Sequence, residues 1–280
     1  MLYEGHSARH DGRVPDEDAG RALWAGLVAA RVQTDGWPVV EVPLRPSNAG
    51  GSGTFLAAAS DGNQWWVKPL NNMQGQRVIA TEAIVGSIGG LLGVAVCETT
   101  IVRIPVELAG WSFRPGAVLE AGFAHASRAV QDAVEDRSLR SRDRDDNRRR
   151  HVGVYALYDL CWGGDDQWLY SASEDDALYS HDHGWYLPPT GPTWSSEELL
   201  ANVDVPHVAP YPALGLDRVE IDRVGQRLRA IIREEIADVL RRLPRDWPLG
   251  DEELEVLGWF IERRAPAVAG RLERLASQEV

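Results

Sequence analysis

The chain has 280 residues, 44% hydrophobic and 25% charged. These are the proportions of an ordinary globular protein and exclude disorder, collagen or coiled coil as descriptions of the whole. A formal charge of −13, from 29 basic against 42 acidic residues, disfavours nonspecific attraction to nucleic acid. No apolar run approaches the ~20 residues of a membrane span and the first residues lack an apolar leader core, so the expectation is a cytosolic protein with no membrane partner.

In chain order, residues 1–20 are polar and Gly-rich and predict a flexible arm, and residues 21–32 predict a short helix. Three strands are expected next, at 37–44, 54–58 and 64–69, with a Gly-rich turn at 48–53 and an Asp61-Gly62-Asn63 turn between them. That is an antiparallel meander. Ile79, Ala83, Ile84, Ile88 and Leu91 recur at helical spacing and predict a helix over 76–92 ended by Gly93. Strands are expected at 99–105 and 117–123, a helix at 127–134, a charged mobile loop at 136–150 and an apolar helix at 151–162. Farther on, one long amphipathic helix spans 221–243, and another from Leu254 is interrupted at Pro266. Strands first and helices later give an α+β protein in two lobes.

Among the 29 basic residues Lys68 is the only lysine, and it sits on an apolar strand beside Trp66 and Val67. A buried ammonium needs a negative partner or its pKa falls. Between Val78 and Cys97 the only charged side chain is Glu82, so the economical reading pairs Lys68 with Glu82 across strand and helix, leaving the ammonium able to meet phosphate oxygens. The glycines of Gly50-Gly51-Ser52-Gly53 allow backbone N–H groups to cradle an anion. Downstream, Asp165 and Asp166 follow Gly163-Gly164, and Asp182 lies between His181 and His183. Carboxylates on successive turns can share a divalent metal and a nucleophile, as phosphoryl transfer requires. The competing readings are helix termination and a tight turn, or a metal-dependent hydrolase built on His181, Asp182 and His183. Cys97 and Cys161 are too few for a disulfide framework and are expected in the core.

Taken in order, the Gly-rich turn, strand lysine, helix glutamate, apolar helix ending in Asp and Asp-His-Gly resemble the HipA-like kinases, in their compact single-domain branch. The local matches are Trp65-Trp-Val-Lys68-Pro-Leu-Asn-Asn72, Gln74-Gly-Gln-Arg77, Glu82, Leu91-Leu-Gly93 and Ser180-His-Asp182-His-Gly184, with Gly122-Phe123-Ala124 similar to the stretch after the hinge. The resemblance implies a bilobal protein-kinase-like fold, with a small antiparallel-sheet N-lobe carrying one helix (21–122) and a mostly helical C-lobe (123–280) whose catalytic segment is 151–190. It implies ATP and Mg2+ as cofactors and transfer to a hydroxyl of an unidentified protein or small molecule, protein Ser/Thr favoured. Residue by residue it implies that Lys68 contacts the phosphates, that Glu82 orients it, that Gly51, Ser52, Gly53 and Phe123 line the nucleotide, that Asp165 is the catalytic base and that Asp182 binds metal. The sequence departs from the family pattern where the family has Arg and a metal-binding Asn: here stand Asp166 and Tyr170. Either Asp166 supplies the missing ligand, or turnover is weak and the chain is a pseudokinase, a nucleotide-binding regulatory module.

Overall fold

A computed structural model of the chain describes residues 15–31, 36–47, 53–114 and 117–277. The first half carries α1 (Pro15–Ala22), β1 (Val40–Pro46), β2 (Phe55–Ala59), β3 (Gln64–Lys68), α2 (Gln76–Leu92), β4 (Thr99–Ile104), β5 (Ser112–Arg114), β6 (Ala117–Val118), β7 (Gly122–Arg128) and β8 (Ala133–Asp136). The second half carries α3 (Asn147–Leu160), β9 (Trp168–Ser171), β10 (Ala177–Ser180), α4 (Ser196–Asn202), α5 (Arg218–Ala230), α6 (Arg233–Arg241) and α7 (Asp251–Ser277).

An antiparallel sheet in the order β1-β2-β3-β7-β4 forms one lobe. Side chains alternate across it. Trp65 and Val67 join Phe55, Ala57, Val102, Ala124 and Ala126 in a core on the outer face, closed by Leu119 and Trp111. Trp66 and Lys68 therefore fall on the inner face, toward α2. That helix is buried on nearly every side, because it packs between the sheet and the helices of the second lobe; its C-cap is Gly93, as the sequence predicts. In the second lobe α3 is buried against α5 and α7. Beside α3 lies a second sheet, β10-β9-β8. The buried Asn147 joins the two: its amide donates to the carbonyls of Ser141 and Asp176 at 2.8 Å and its oxygen accepts the Leu178 N–H at 2.8 Å.

Several expectations about elements are corrected. Helix α1 begins at Pro15, inside the segment expected as an arm, and residues 23–30 are turns. This N-terminal stretch packs on the helical lobe: the Trp24 indole donates to Glu262 at 2.6 Å, and Arg31 pairs with Asp251 at 2.8 Å. Long-range partners outweigh local propensity there. Residues 127–134 form the end of β7 and the start of β8 rather than a helix. The strand expected at 117–123 is divided between β6 and β7.

The charged stretch is bound down by ion pairs, Arg140–Asp136 at 2.8 Å, Arg144–Asp175 at 3.3 Å and Arg150–Asp145 at 2.7 Å. The long helix at 221–243 is two helices, broken at Ile231 and Ile232 in extended backbone, where the Glu235 carboxylate accepts the Ile232 N–H at 3.1 Å. Conversely α7 runs on through Pro266. Proline inside a helix costs roughly 3 kcal/mol, and burial of Ala265, Val268, Ala269 and Leu272 on either side offsets it.

Candidate active site

The inner face of the sheet brings β3, α2 and the segment after β10 to one point. Lys68, its side chain 8% exposed, places its ammonium between Glu82 Oε1 and Asp182 Oδ1, the latter at 2.5 Å. Burial on its own would lower the lysine pKa. The charges of Glu82 and Asp182 overcome this and hold it above its ordinary value. For Asp182, burial likewise opposes the charged form, but the Lys68 ammonium prevails and keeps the carboxyl well below the usual range. Lys68 and Asp182 are thus fixed in their ionised forms. The sequence-derived pairing of Lys68 with Glu82 is present, and Asp182 joins it.

Close approach explains the residues around Asp182. It sits in left-handed backbone, φ 54°, just before a single 3-10 turn, His183–Trp185. A Cβ on Gly184 would lie 2.4 Å from Val78 and 3.0 Å from Glu82 Oε1. Only glycine lets this segment press against α2, so Asp-x-Gly is needed here on packing grounds alone. The segment is also tied to the chain after α2: Cys97 N–H donates to Ser180 O, and Ser180 N–H to Ala95 O, both at 2.9 Å.

The loop after α3 carries the two other aspartates, and they face different surroundings. A Cβ on Gly164 would lie 2.1 Å from the Trp185 carbonyl, so this loop interlocks with the Asp182 segment. The Asp165 carboxylate accepts the Asp166 N–H at 3.0 Å and the Gln167 amide at 2.5 Å. It lies within electrostatic range of Glu135 on β8, whose pKa burial raises, with Asp182 and Asp165 adding to the effect. Asp166 turns instead to Tyr211, Tyr158 and Tyr186, whose hydroxyl pKa values are raised by burial and then by that carboxylate. Among the described residues no hydrogen bond or ion pair joins Asp166 to Lys68.

Tyr170, at the position where the family has its metal asparagine, is wholly buried on β9. Its hydroxyl accepts the Arg140 N–H and donates to Ser138 O, both at 2.9 Å. Among the described residues no three metal-ligating side chains converge, which removes the footing of the hydrolase reading. His183 is engaged with Ser180 Oγ at 2.7 Å, and burial pushes its pKa down to about 3. Cys97 and Cys161 are core residues, as expected, with pKa values pushed by burial up to about 12.

Of the expected glycine cradle, Gly51 and Ser52 lie outside the described residues, while Gly53 is buried at the start of β2. Phe123 stands within β7, at the end far from where the chain leaves the sheet, with its ring 4.8 Å from Trp37 and its carbonyl accepting the Trp247 indole at 3.4 Å. The stretch that follows β7, Ala129 to Gln131, borders a cavity of about 410 Å³ that also touches Arg45, Leu56 and Trp66. Two residues escape the sequence reading. Glu135 falls between the helix expected at 127–134 and the charged stretch expected from 136, and His125, without a motif around it, proves to be the cross-strand neighbour of Lys68 with Nε2 3.2 Å from Glu82 Oε2.

Residues 39–159 match the family model described as HipA-like kinase. No curated protein matches the sequence. Among solved structures, the chain is similar to the Helicobacter pylori proinflammatory kinase CtkA, with a TM-score of 0.57 and 13% identity over 86% of this chain and 97% of that one. It is also similar to the Golgi casein kinase with Mn/ADP bound, with a TM-score of 0.50 and 11% identity over 92% of this chain and 78% of that one. At such identities these likenesses establish the kinase-like α+β fold, an antiparallel sheet with one helix followed by a helical region.

Proposed function

We propose that the chain is an ATP-dependent phosphotransferase that moves the γ-phosphoryl group to a hydroxyl, with protein serine or threonine the favoured acceptor class. The observation that carries this reading is the buried Lys68–Glu82–Asp182 constellation. An ammonium fixed in its charged form beside a partly exposed carboxylate is what a polyphosphate needs, because this transfer depends on positioning and charge neutralisation more than on covalent chemistry by the protein. The residues fit a nucleotide and a divalent ion. Lys68 would meet phosphate oxygens, and Asp182 would hold Mg2+ or Mn2+ together with those oxygens, an ion that commonly takes only one or two protein carboxylates. The ADP and manganese of the Golgi casein kinase structure support the same cofactor pairing. Bound there, the ion would neutralise charge on the transferring group. Asp165, whose two oxygens are held by Asp166 N–H and Gln167, would accept the proton of the acceptor hydroxyl.

A second reading, nucleotide binding with little turnover, is favoured by one specific feature: Tyr170 is locked into the core where a metal asparagine would stand. Incubation with γ-labelled ATP and magnesium separates the two. Label transfer that Asp165→Ala abolishes supports the phosphotransferase; ATP binding without transfer supports the second reading; neither binding nor transfer defeats both.

A further inference from the structure

One buried imidazole takes no part in the proposed reaction. His125 is 1% exposed on the central strand β7, directly across from Lys68. Its Nε2 lies 3.2 Å from Glu82 Oε2 and 3.1 Å from Ser127 Oγ, whereas Lys68 takes the other oxygen, Oε1. Donation from Nε2 to the Glu82 carboxylate requires the proton on that nitrogen, since a carboxylate only accepts hydrogen bonds. The other ring nitrogen, Nδ1, is buried and has no hydrogen-bond partner. Orphaned buried acceptors are costly and rare. A leucine or valine would satisfy this strand without leaving one, so packing gives no reason for an imidazole here. The Nε2 bond does.

We propose that His125 is a positioning residue of the nucleotide site: it fixes the carboxylate plane of Glu82, and through it the direction of the Lys68 ammonium. Glu82 is then held by two neighbouring strands, by Lys68 from β3 and by His125 from β7. With Lys68 alone, the carboxylate could pivot about one contact and drift with Asp182. With both, the ammonium is set before any phosphate arrives, and preorganisation of that kind is where catalytic electrostatics gains its effect. The role for the phosphates rests on the nucleotide reading above, but the positioning of Lys68 does not, which allows the two to be tested apart.

Because Lys68 is the only lysine, amine chemistry and Nζ spectroscopy report on it with little interference. In the nucleotide-free wild-type protein, reductive methylation of Lys68 should be slow. In His125→Leu it should be at least about fivefold faster, and in His125→Gln, whose amide replaces the Nε2 donor, it should return to within about twofold of wild type. An unchanged rate in a folded His125→Leu protein overturns the proposal. Should that variant fail to fold, nitrogen-15 histidine spectra of the wild type decide, with the His125 signal assigned by its loss in His125→Gln. The Nε2–H tautomer is expected, and an Nδ1–H tautomer overturns the proposal. ATP titration of the same proteins then addresses the nucleotide reading: weaker binding in His125→Leu, restored by His125→Gln, joins the two, while no binding by wild type rejects the nucleotide reading and leaves the methylation result to stand by itself.

Discussion

The two sides of the cleft are built to different completeness. On the sheet side every charged group has a fixed partner: Lys68 is shared by Glu82 and Asp182, and Glu82 is shared by Lys68 and His125. On the loop side Asp165 is held only by its own neighbours, Asp166 faces three tyrosines and Tyr170 is part of the core. The half that would hold phosphates is over-determined, and the half that would carry out transfer is sparse. On the proposed reading, holding a nucleotide and turning it over would therefore be separable.

The comparison is broken most severely through Asp165. If it is the base, Asp165→Asn lowers transfer by about 10²- to 10⁴-fold with ATP affinity nearly unchanged, measured as single-turnover label transfer beside calorimetry. A loss confined to affinity would place Asp165 on the holding side.

Next in size is Gly184→Ala. The added carbon would lie 2.4 Å from Val78 and 3.0 Å from Glu82 Oε1, so overpacking should cost about 1–3 kcal/mol in denaturant unfolding. It should weaken ATP binding as well, because the same carbon displaces Glu82. Wild-type affinity in this variant would show that the Asp182 segment and α2 are not mechanically joined.

Acid acts on the helical lobe. His151 is wholly buried, its Nδ1 accepts from Arg142 Nε at 3.1 Å, and burial followed by the arginine charge brings its pKa down to about 4. Below the ordinary histidine value the unfolded chain binds the proton and the folded chain does not. Stability therefore falls as pH drops from about 6.5 toward 4, by about 1.4 kcal/mol per unit for this group. Lys68 adds no slope in that window; Asp182, its pKa lowered, adds a slope of the same sign only near the acid end, and the buried His181 and His183, pushed down to about 4 and about 3, add to the fall. Thermal midpoints from pH 7 to 4.5 should fall, and less steeply in His151→Gln; equal slopes in the two proteins would remove His151 as the cause.

The smallest expected effect is that of Asp166→Asn. Since Asp166 faces the tyrosines, transfer should change by less than about threefold, and a loss comparable to that of Asp165→Asn would mean that Asp166 reaches the metal.

The sheet side was legible because its signals are local and rare: one lysine in the chain, one carboxylate in an apolar helix, and an Asp-His-Gly run. Burial leaves few ways to satisfy such groups, so spacing alone points to their pairing. His125 was not legible, since its meaning lies in strand register, Lys68 opposite His125, and no pattern within 122–128 announces which strand lies beside β3. Glu135 carried no signal of its own, falling between the helix expected at 127–134 and the charged stretch that begins at Asp136. In the second lobe the helical periodicity was correct, but the break at Ile231 and Ile232 and the continuity through Pro266 depend on packing partners distant in sequence.

The most direct test of the central claim, that the Lys68 constellation is a nucleotide site, is calorimetric titration of wild type and Lys68→Arg with ATP, with and without magnesium. Arginine is planar and forked and would displace either Glu82 or the phosphates. The account predicts wild-type binding that strengthens with magnesium and weakens by at least roughly tenfold in the variant, about 1.4 kcal/mol, while the nucleotide-free thermal midpoint changes much less. No wild-type binding, or equal binding by Lys68→Arg, would contradict it.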